Sequence, residues 1–297
     1  MESLVSDICI ISDGKPGHVN QSLGLVDALR RAAPQLSCTE HTILSWRAIF
    51  ALIAARVTGK QHAFSHVKLV VGTGRRTHLS LLALQWIVGC KAVVLMRPSL
   101  PSAWFSAAII PEHDQPPELP NTLATLGALN RMQPGTKQVD QGLILVGGPS
   151  KHFDWSDDHI WQQIDSLLED TTQQWLLTTS RRTPESFLQR AADYPQLCVM
   201  PFENTSRHWL PEQLASASAC WVTEDSISMV YEALSAGCET GVFELPIKSG
   251  GSRVTRGLAR LKASMRVMTL TQRQRSTDAP LAEADRAAAW IMKKGWL

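Results

Sequence analysis

Short apolar runs alternate with segments of helical periodicity along most of the chain. Each run has the length of a strand, and most are apolar at every position rather than at every second one. They cover residues 8–12, 67–71, 92–96 and 107–110 in the first half, and 143–146, 175–177, 197–200, 220–222 and 241–245 in the second. Such strands, separated by amphipathic helices, indicate parallel sheets covered on both faces. The pattern therefore predicts an α/β fold.

One polar segment interrupts this alternation and predicts a linker. Residues 130–141 hold Pro134 and Gly135 and show no apolar period, which is typical of a connection. A length of 297 residues also suits about two domains. We expect an N-terminal domain over residues 1–135, a C-terminal domain over residues 141–279, and a last helix within residues 280–297 that could return to the N-terminal domain.

Composition and targeting signals narrow the class of protein. Hydrophobic residues make up 44% and charged residues 19% of the chain, with a net charge of +2, so a nucleic-acid partner is not expected. The six cysteines form no C-x-x-C pair, which favours buried apolar roles in a reducing compartment. No signal peptide is recognised, and the apolar stretch 79–96 is broken by polar residues. These features predict a cytoplasmic protein.

The loop after the first strand has the composition of a ligand site. In open α/β sheets ligands bind beyond the carboxyl ends of the strands. Gly14 and Gly17 would let the backbone approach a ligand, and Lys15 and the helix start would favour an anion. His18 is the natural general base, with Asp13 as a second candidate. The alternative is a tight turn that only caps the helix.

A second polar segment lies in the C-terminal half. A strand ends at Thr223, and a helix follows that Asp225 or Ser226 could cap and Gly237 could end. One face of this helix is apolar (Ile227, Val230, Tyr231 and Leu234), and Glu232 lies away from it beside Ser228. Either this is a solvated face, or Glu232 binds a ribose while the helix start binds phosphate.

Four further loops follow predicted strands. Ser150 and Lys151 lie in one, and Ser180, Arg181 and Arg182 in the next; guanidinium forks suit phosphate, and solvated loops are the alternative. In the N-terminal half, Glu112 and Asp114 are rival bases. The loop at residues 72–76 could contact acceptor or donor.

Two segments are notable for charge or apolarity. Residues 245–277 contain eight Lys or Arg and no Asp or Glu, with Arg253, Arg256 and Arg260 on one helical face. That run could neutralise a diphosphate or meet anionic lipid headgroups. Residues 46–56 (WRAIFALIAAR) are apolar with flanking arginines. A buried helix is the favoured interpretation of this segment, and membrane docking is the alternative.

These motifs together resemble a known family. The segment at residues 222–237 resembles the nucleotide-binding motif of GT-B glycosyltransferases, and residues 14–18 resemble the glycine loop of the peptidoglycan N-acetylglucosaminyl transferase. With SDGKPGHVNQSLGL, PEHD, GGPSKHF and TSRRTP, the chain resembles the ELM1 family of bacterial glycosyltransferase-like proteins and a plant mitochondrial-fission protein. One departure is Cys238-Glu239-Thr240, where GT-B proteins often have a proline.

The resemblance implies a GT-B-like α/β fold of two Rossmann-like doubly wound domains facing a cleft. It implies a nucleotide-sugar donor and no obligate metal, and we expect a glycan or glycolipid acceptor and no cofactor. If the basic and aromatic segments contact lipid, a lipopolysaccharide core is an expected acceptor. Glu232 would bind ribose, and Ser226 and Ser228 would lie near the diphosphate, beside Thr223, Glu224 and Asp225. His18 or Asp13 would deprotonate the acceptor, and a contact with the inner membrane is a further expectation.

The sequence offers no metal motif, since H-E-x-x-H and Asp-x-Asp are both absent. Together with the resemblance, this favours a metal-independent glycosyltransferase, and our hypothesis is that the transfer inverts the anomeric centre. A nucleotide-sugar 2-epimerase of the same fold and a non-catalytic adaptor are the alternatives.

Overall fold

The chain forms two units that each contain a parallel sheet. The computed structural model describes residues 6–169, 171, 173–206, 208–248, 252–277 and 279–297, without the side chain of Arg253. One unit comprises Met1–Arg131 and Ala282–Leu297, and the other Met132–Leu281; we call them the N-terminal and C-terminal units. Their boundary falls a few residues before the predicted one.

The N-terminal unit is built on six strands. In chain order its elements are β1 (Ile8–Ser12), α1 (Pro16–Ala32), β2 (Cys38–Thr42), α2 (Trp46–Thr58), β3 (Leu69–Thr73), α3 (His78–Ala83), β4 (Lys91–Leu95), β5 (Ala107–Pro111) and β6 (Thr122–Thr125). A π-helical turn (Leu84–Val88) extends α3. The strands are all parallel, in the order β2-β1-β3-β4-β5-β6.

The C-terminal unit is built on five strands. Its elements are β7 (Gln138–Leu145), α4 (Asp157–Glu169), β8 (Gln174–Thr178), α5 (Glu185–Arg190), β9 (Leu197–Met200), α6 (Trp209–Ser216), β10 (Ala217–Thr223), α7 (Ile227–Ser235), β11 (Glu239–Phe243) and α8 (Arg253–Ala263). The order is β11-β10-β7-β8-β9, again parallel. Because β7 begins at Gln138, the end of the predicted linker is a strand.

Burial on both faces explains why the hydrophobic pattern predicts the central strands. β1, β3 and β5 are buried at every position, so their apolar residues form continuous runs. One face of this sheet packs against α1 and the other against α2 and α3, which makes the unit doubly wound. The parallel α/β prediction is confirmed.

The last helix, α9 (Glu283–Met292), returns to the N-terminal unit. Ala284, Ala287, Ala288 and Ile291 are buried in the cluster that contains Leu25 and Leu29 of α1. Small alanine side chains allow the two helices to approach closely. Among the helices that the structure describes, none has the length and apolarity needed to cross a bilayer.

Candidate functional site

The first candidate site lies where the N-terminal sheet changes direction. β1 pairs with β2 on one side and β3 on the other, so the chain passes from β2 across β1 to β3. Such a switch point separates the loops beyond the carboxyl ends of the two central strands and leaves space for a ligand. The loop after β1 carries Asp13, the first turn of α1 carries His18, and the loop after β3 carries Gly74.

A carboxylate holds the His18 imidazole in one orientation. His18 Nδ1 lies 3.1 Å from Asp13 Oδ1 and 3.0 Å from Oδ2, and the Asp13 carboxylate is buried. The Lys15 N–H also donates to Asp13 Oδ1 at 3.2 Å. With Nδ1–H donating to the carboxylate, Nε2 is the acceptor nitrogen. This is the arrangement of a general base with an orienting acid.

The charge state of Asp13 suits that role. Burial raises the pKa of its carboxyl, but the Lys15 N–H and His18 outweigh burial and lower the pKa below its usual value. Asp13 is therefore ionised at neutral pH and stabilises a positive charge on His18. Of these two base candidates, the geometry favours His18, and Asp13 is placed to orient its ring.

Gly74 forms the wall behind this pair. Its φ is +91°, and a Cβ there would lie 2.4 Å from His18 Cε1 and 2.5 Å from Nδ1. Only glycine lets the backbone of the β3 loop approach the imidazole so closely. A buried hydrogen bond of 2.9 Å between Ser22 and Thr73 hydroxyls ties α1 to the end of β3, so the imidazole is fixed from both strands.

The structure does not bring every N-terminal candidate to this pair. Gly14, Lys15 and Gly17 are exposed around it, and space is open where a Cβ would stand on Gly14 or Gly17. Glu112 and Asp114 follow β5, which is three strands away from β1, or about 14 Å at the usual strand spacing. The Asp114 carbonyl accepts a hydrogen bond from Arg97 Nη1 at 2.8 Å.

The second candidate site lies at the switch point of the C-terminal sheet. β7 pairs with β8 on one side and β10 on the other. The loop after β7 is joined to the end of β10: the Gly147 N–H donates to Thr223 Oγ1 at 2.7 Å, and the Gly148 N–H to Asp225 Oδ2 at 3.0 Å. Both bonds are buried, so these two loops form one rigid cradle.

The loop after β8 completes this cradle. Arg182 Nη2 lies 2.7 Å from Asp225 Oδ2, and its Nη1 donates to the Gly148 carbonyl at 2.9 Å. Ser180 Oγ donates to the Gly147 carbonyl at 2.8 Å. Burial raises the pKa of Asp225, although the Gly148 N–H and Arg182 oppose that effect. We interpret Thr223, Asp225, Ser180 and Arg182 as residues that position the loops.

Glu224 has a comparable internal role. Its Oε2 accepts the Leu245 N–H at 3.0 Å, and its Oε1 pairs with Lys262 Nζ. Burial raises the Glu224 pKa, with Lys262 and the Leu245 N–H acting in the opposite direction. Glu224 therefore fastens the end of β10 to β11 and α8 rather than facing a ligand.

The ion pair between Glu224 and Lys262 also changes the interpretation of the basic segment at residues 245–277. Lys262 also lies 2.7 Å from Glu244 Oε1, Arg275 lies 3.3 Å from Glu239 Oε1, and the Arg273 guanidinium stands 4.9 Å from the centre of the Trp221 ring. Acids from outside residues 245–277 thus neutralise part of it. Arg253 begins α8, but its side chain lies outside the described residues.

The remaining candidates are placed around the cradle with their polar groups accessible. Lys151, Arg181 and Ser228 are exposed, and Arg181 lies 5.2 Å from the centre of the Phe202 ring. Ser150 Oγ accepts the Phe153 N–H at 3.2 Å. Ser226 is the N-cap residue of α7, as one alternative predicted, but its hydroxyl makes no capping bond. Asp225, the other capping candidate, precedes the N-cap and accepts the Gly148 N–H instead.

Glu232 lies in α7 away from the buried side chains of Val230, Tyr231 and Leu234. It is partly buried rather than fully solvated, and burial raises its pKa to about 7. The helix ends as predicted, since Gly237 has a φ of +76°. Glu232 thus has a pKa near neutral pH and lies on the helix that follows the cradle. It is a candidate to bind a hydroxyl group of a ligand.

The chain matches one family model over nearly its whole length: the model for Mitochondrial fission ELM1 covers residues 16–294. The chain belongs to the ELM1 family. No curated protein matches the sequence.

Solved structures share the architecture of this ELM1 protein. A Listeria monocytogenes protein described as a UDP-N-acetylglucosamine 2-epimerase is 9% identical, with 96% of this chain and 94% of that one covered and a TM-score of 0.55. Phytolacca americana UGT2 is 10% identical (99% and 90% covered, TM-score 0.51), and the Neisseria meningitidis UDP-GlcNAc 2-epimerase is 8% identical (97% and 98%, 0.50). The ELM1 protein thus has the predicted GT-B-like fold of two Rossmann-like domains.

Sequence reasoning missed some residues that shape the cradle of the ELM1 protein. The Thr183 hydroxyl can donate to the Gly147 or the Val146 carbonyl, and its oxygen accepts the Ser180 N–H at 2.8 Å. The sequence feature that could have identified Thr183 is its position in the TSRRTP motif. Within the ranges that the structure describes, no three His, Cys, Asp or Glu side chains are grouped as metal ligands would be.

The raised pKa of Glu232 predicts a pH-dependent stability of the ELM1 protein. The folded state keeps its proton up to about pH 7, whereas the ordinary value is 4.5. Glu232 therefore contributes stability below pH 4.5 that is lost as the pH rises to about 7. At about 1.4 kcal/mol per unit, reduced by partial contact with water, the loss is about 2 kcal/mol.

Glu232→Gln should remove that loss, so the variant is expected to be more stable than the parent protein at pH 8 and similar near pH 4. Urea unfolding across this pH range measures the difference. A variant that follows the parent protein at every pH would show that Glu232 titrates normally.

Proposed function

We propose that this ELM1 protein is a metal-independent, inverting GT-B glycosyltransferase that moves a sugar from a nucleotide-sugar donor to a glycan or glycolipid acceptor. The observation that carries the proposal is the His18 imidazole, held through Nδ1 by the buried Asp13 carboxylate at a switch point. A base of this kind activates a hydroxyl nucleophile. A cell-envelope glycolipid, such as a lipopolysaccharide core, is the acceptor class we favour.

The reaction is a single displacement. His18 Nε2 takes the proton of the acceptor hydroxyl as the hydroxyl oxygen forms a bond to the anomeric carbon. The bond between that carbon and the donor diphosphate breaks, and the electron pair leaves with the nucleoside diphosphate. Asp13, which is ionised, stabilises the imidazolium that forms. Attack opposite to the leaving group inverts the anomeric centre.

The C-terminal unit would hold the donor. Arg181 and Lys151 supply positive charge at the exposed rim of the cradle, and the N-terminus of α7 offers Ser226 and backbone N–H groups. Such groups stabilise the charge that develops on a leaving diphosphate. Glu232 would accept hydrogen bonds from the ribose hydroxyls. The neighbour UGT2 was solved with UDP-2fluoro-glucose and the Neisseria epimerase with UDP-GlcNAc, which supports a sugar nucleotide as the ligand class.

Donor binding by the C-terminal unit is the direct test. Isothermal titration at about pH 8, where Glu232 is ionised, with nucleoside diphosphates and UDP- or ADP-sugars should show binding. Glu232→Ala should weaken it by about tenfold or more, since a hydrogen bond to a charged group contributes about 1.5–3 kcal/mol. Glu212→Ala is the matched control, because Glu212 is an exposed glutamate of α6 in the same unit. Equal affinity of the two variants would remove Glu232 from the site.

Incubation of donor without acceptor separates the proposed transferase from an epimerase. An epimerase converts the sugar of the donor in the absence of any acceptor, whereas the transferase leaves it unchanged apart from slow hydrolysis. A protein that binds no sugar nucleotide, and whose protein partner is retained after replacement of both His18 and Glu232, would instead be an adaptor.

A further inference from the structure

One helix of the N-terminal unit presents its apolar face to solvent. Of the residues of α2, all of which the structure describes, Leu52 alone is buried. Trp46 is 67% exposed, Phe50 66% and Val57 80%, and with Ile53 they share one helical face at spacings of three and four residues. The interpretation of this segment as a buried helix is therefore wrong. An apolar face of this kind is unusual on a monomer surface.

Two further exposed tryptophans follow a segment that packs against α2. Leu52 of α2 packs in the same cluster as Leu84 at the start of the π-helical turn, and Trp86 of that turn is 66% exposed. The Trp86 and Trp104 rings are 6.5 Å apart, and Gln85 Nε2 donates to the Trp104 carbonyl at 2.8 Å. We call this surface the aromatic face; its exposed members are Trp46, Phe50, Ile53, Val57, Trp86 and Trp104.

The segment that contains the aromatic face is rich in positive charge, although one of its lysines, Lys68, pairs with Asp7 at 3.0 Å. Residues 41–111, which include α2, the turn and Trp104, contain eight Lys or Arg and no Asp or Glu. Arg47 and Arg56 lie on opposite sides of the apolar stripe at the two ends of α2, and both are exposed. Since the whole chain has a net charge of only +2, this positive charge is concentrated in one part of one unit.

We propose that the aromatic face docks this protein on a bilayer with anionic headgroups. Tryptophan side chains favour the boundary between headgroups and acyl chains, and an apolar helix face flanked by arginines lies in that boundary with its charges toward phosphates. A nucleic acid would use the positive charge and the aromatic rings but not the exposed Ile53 and Val57. A second copy of this chain would bring two positive surfaces together.

The aromatic face adjoins the loop that supports His18. Arg75 and Arg76 are exposed directly after Gly74, and Leu79 is exposed one turn further along α3. Basic and apolar side chains thus continue from α3 to the loop at the carboxyl end of β3. Under the proposed function, on which this step alone rests, docking would present His18 to an acceptor anchored in the same bilayer.

Vesicle binding tests the docking directly. The protein should sediment with phosphatidylcholine vesicles that contain phosphatidylglycerol, and much less with phosphatidylcholine alone. Binding should fall as salt is raised from about 0.1 M to about 0.5 M. Arg47→Gln should lower vesicle affinity about fivefold, whereas Lys293→Gln, an exposed lysine at the end of α9, should leave it unchanged.

Two exposed valines provide a matched test of the apolar contribution to vesicle binding. Val57 is 80% exposed in the aromatic face and Val139 82% exposed in β7 of the other unit. Val57→Glu should lower vesicle affinity about tenfold or more, and Val139→Glu should have no effect. Circular dichroism verifies folding of both.

Equal binding to neutral and anionic vesicles, or equal binding of the two valine variants, would overturn the proposal. So would a change of oligomeric state in Val57→Glu without any vesicle binding by the parent protein. Since these assays contain no sugar nucleotide and the calorimetric assay contains no lipid, the docking and the proposed function fail independently.

Discussion

Replacement of His18 by alanine is expected to lower kcat for sugar transfer by about 10² to 10⁴, with donor affinity unchanged. The acceptor hydroxyl would lose the nitrogen that takes its proton, while the groups proposed to bind the donor belong to the other unit. Initial rates with saturating donor measure the first effect, and isothermal titration measures the second. A loss in kcat without a change in donor affinity assigns His18 to the chemical step.

Two further variants distinguish a base from a structural histidine. Asp13→Asn keeps a hydrogen-bonding group beside Nδ1 but removes the negative charge, so it should also lower kcat and leave donor affinity intact. His66→Ala changes an exposed histidine of the same unit and should have no effect. If His18→Ala retained full activity, the base would lie elsewhere, and Glu112 and Asp114 would be the next candidates.

The central strands could be predicted from the sequence because both of their faces are buried. β1 and β9 have the predicted bounds, and the others differ by a few residues. β2 and β6 were not predicted, since each is an edge strand of the N-terminal sheet. β2 (CTEHT) is partly exposed at every position, so it needs no apolar run, and periodicity does not reveal such a strand.

The loops that form the candidate sites could also be predicted, because parallel strands place their carboxyl ends along one edge. The sequence could not predict which side chains of these loops face a ligand. Glu224 and Asp225 have the composition of a polar loop, yet Lys262 and Arg182, which neutralise them, lie far away in sequence. Likewise, the apolarity of α2 does not show whether its face is covered, because that depends on how much of the helix reaches the sheet.

Gly148→Ala is expected to destabilise the C-terminal unit by about 3 kcal/mol or more and to abolish donor binding. A Cβ at this position would lie 2.1 Å from the Arg182 carbonyl oxygen and 2.3 Å from its carbon. Because these are backbone atoms, the loop after β7 or the loop after β8 must move. Overpacking of this kind costs about 1–3 kcal/mol, and the buried bond from the Gly148 N–H to Asp225 would be strained or lost, at about 1–3 kcal/mol more.

Thermal unfolding measures this effect, which at about 2–4 °C per kcal/mol corresponds to a fall of about 10 °C in Tm. Gly17→Ala is the matched control for stability, since no atom lies within 4 Å of a Cβ there and alanine favours the first turn of α1. It should leave Tm unchanged or slightly raised. If Gly148→Ala unfolded like the Gly17 variant, the loops after β7 and β8 would be able to separate freely, and the cradle could not be the rigid platform on which donor binding depends.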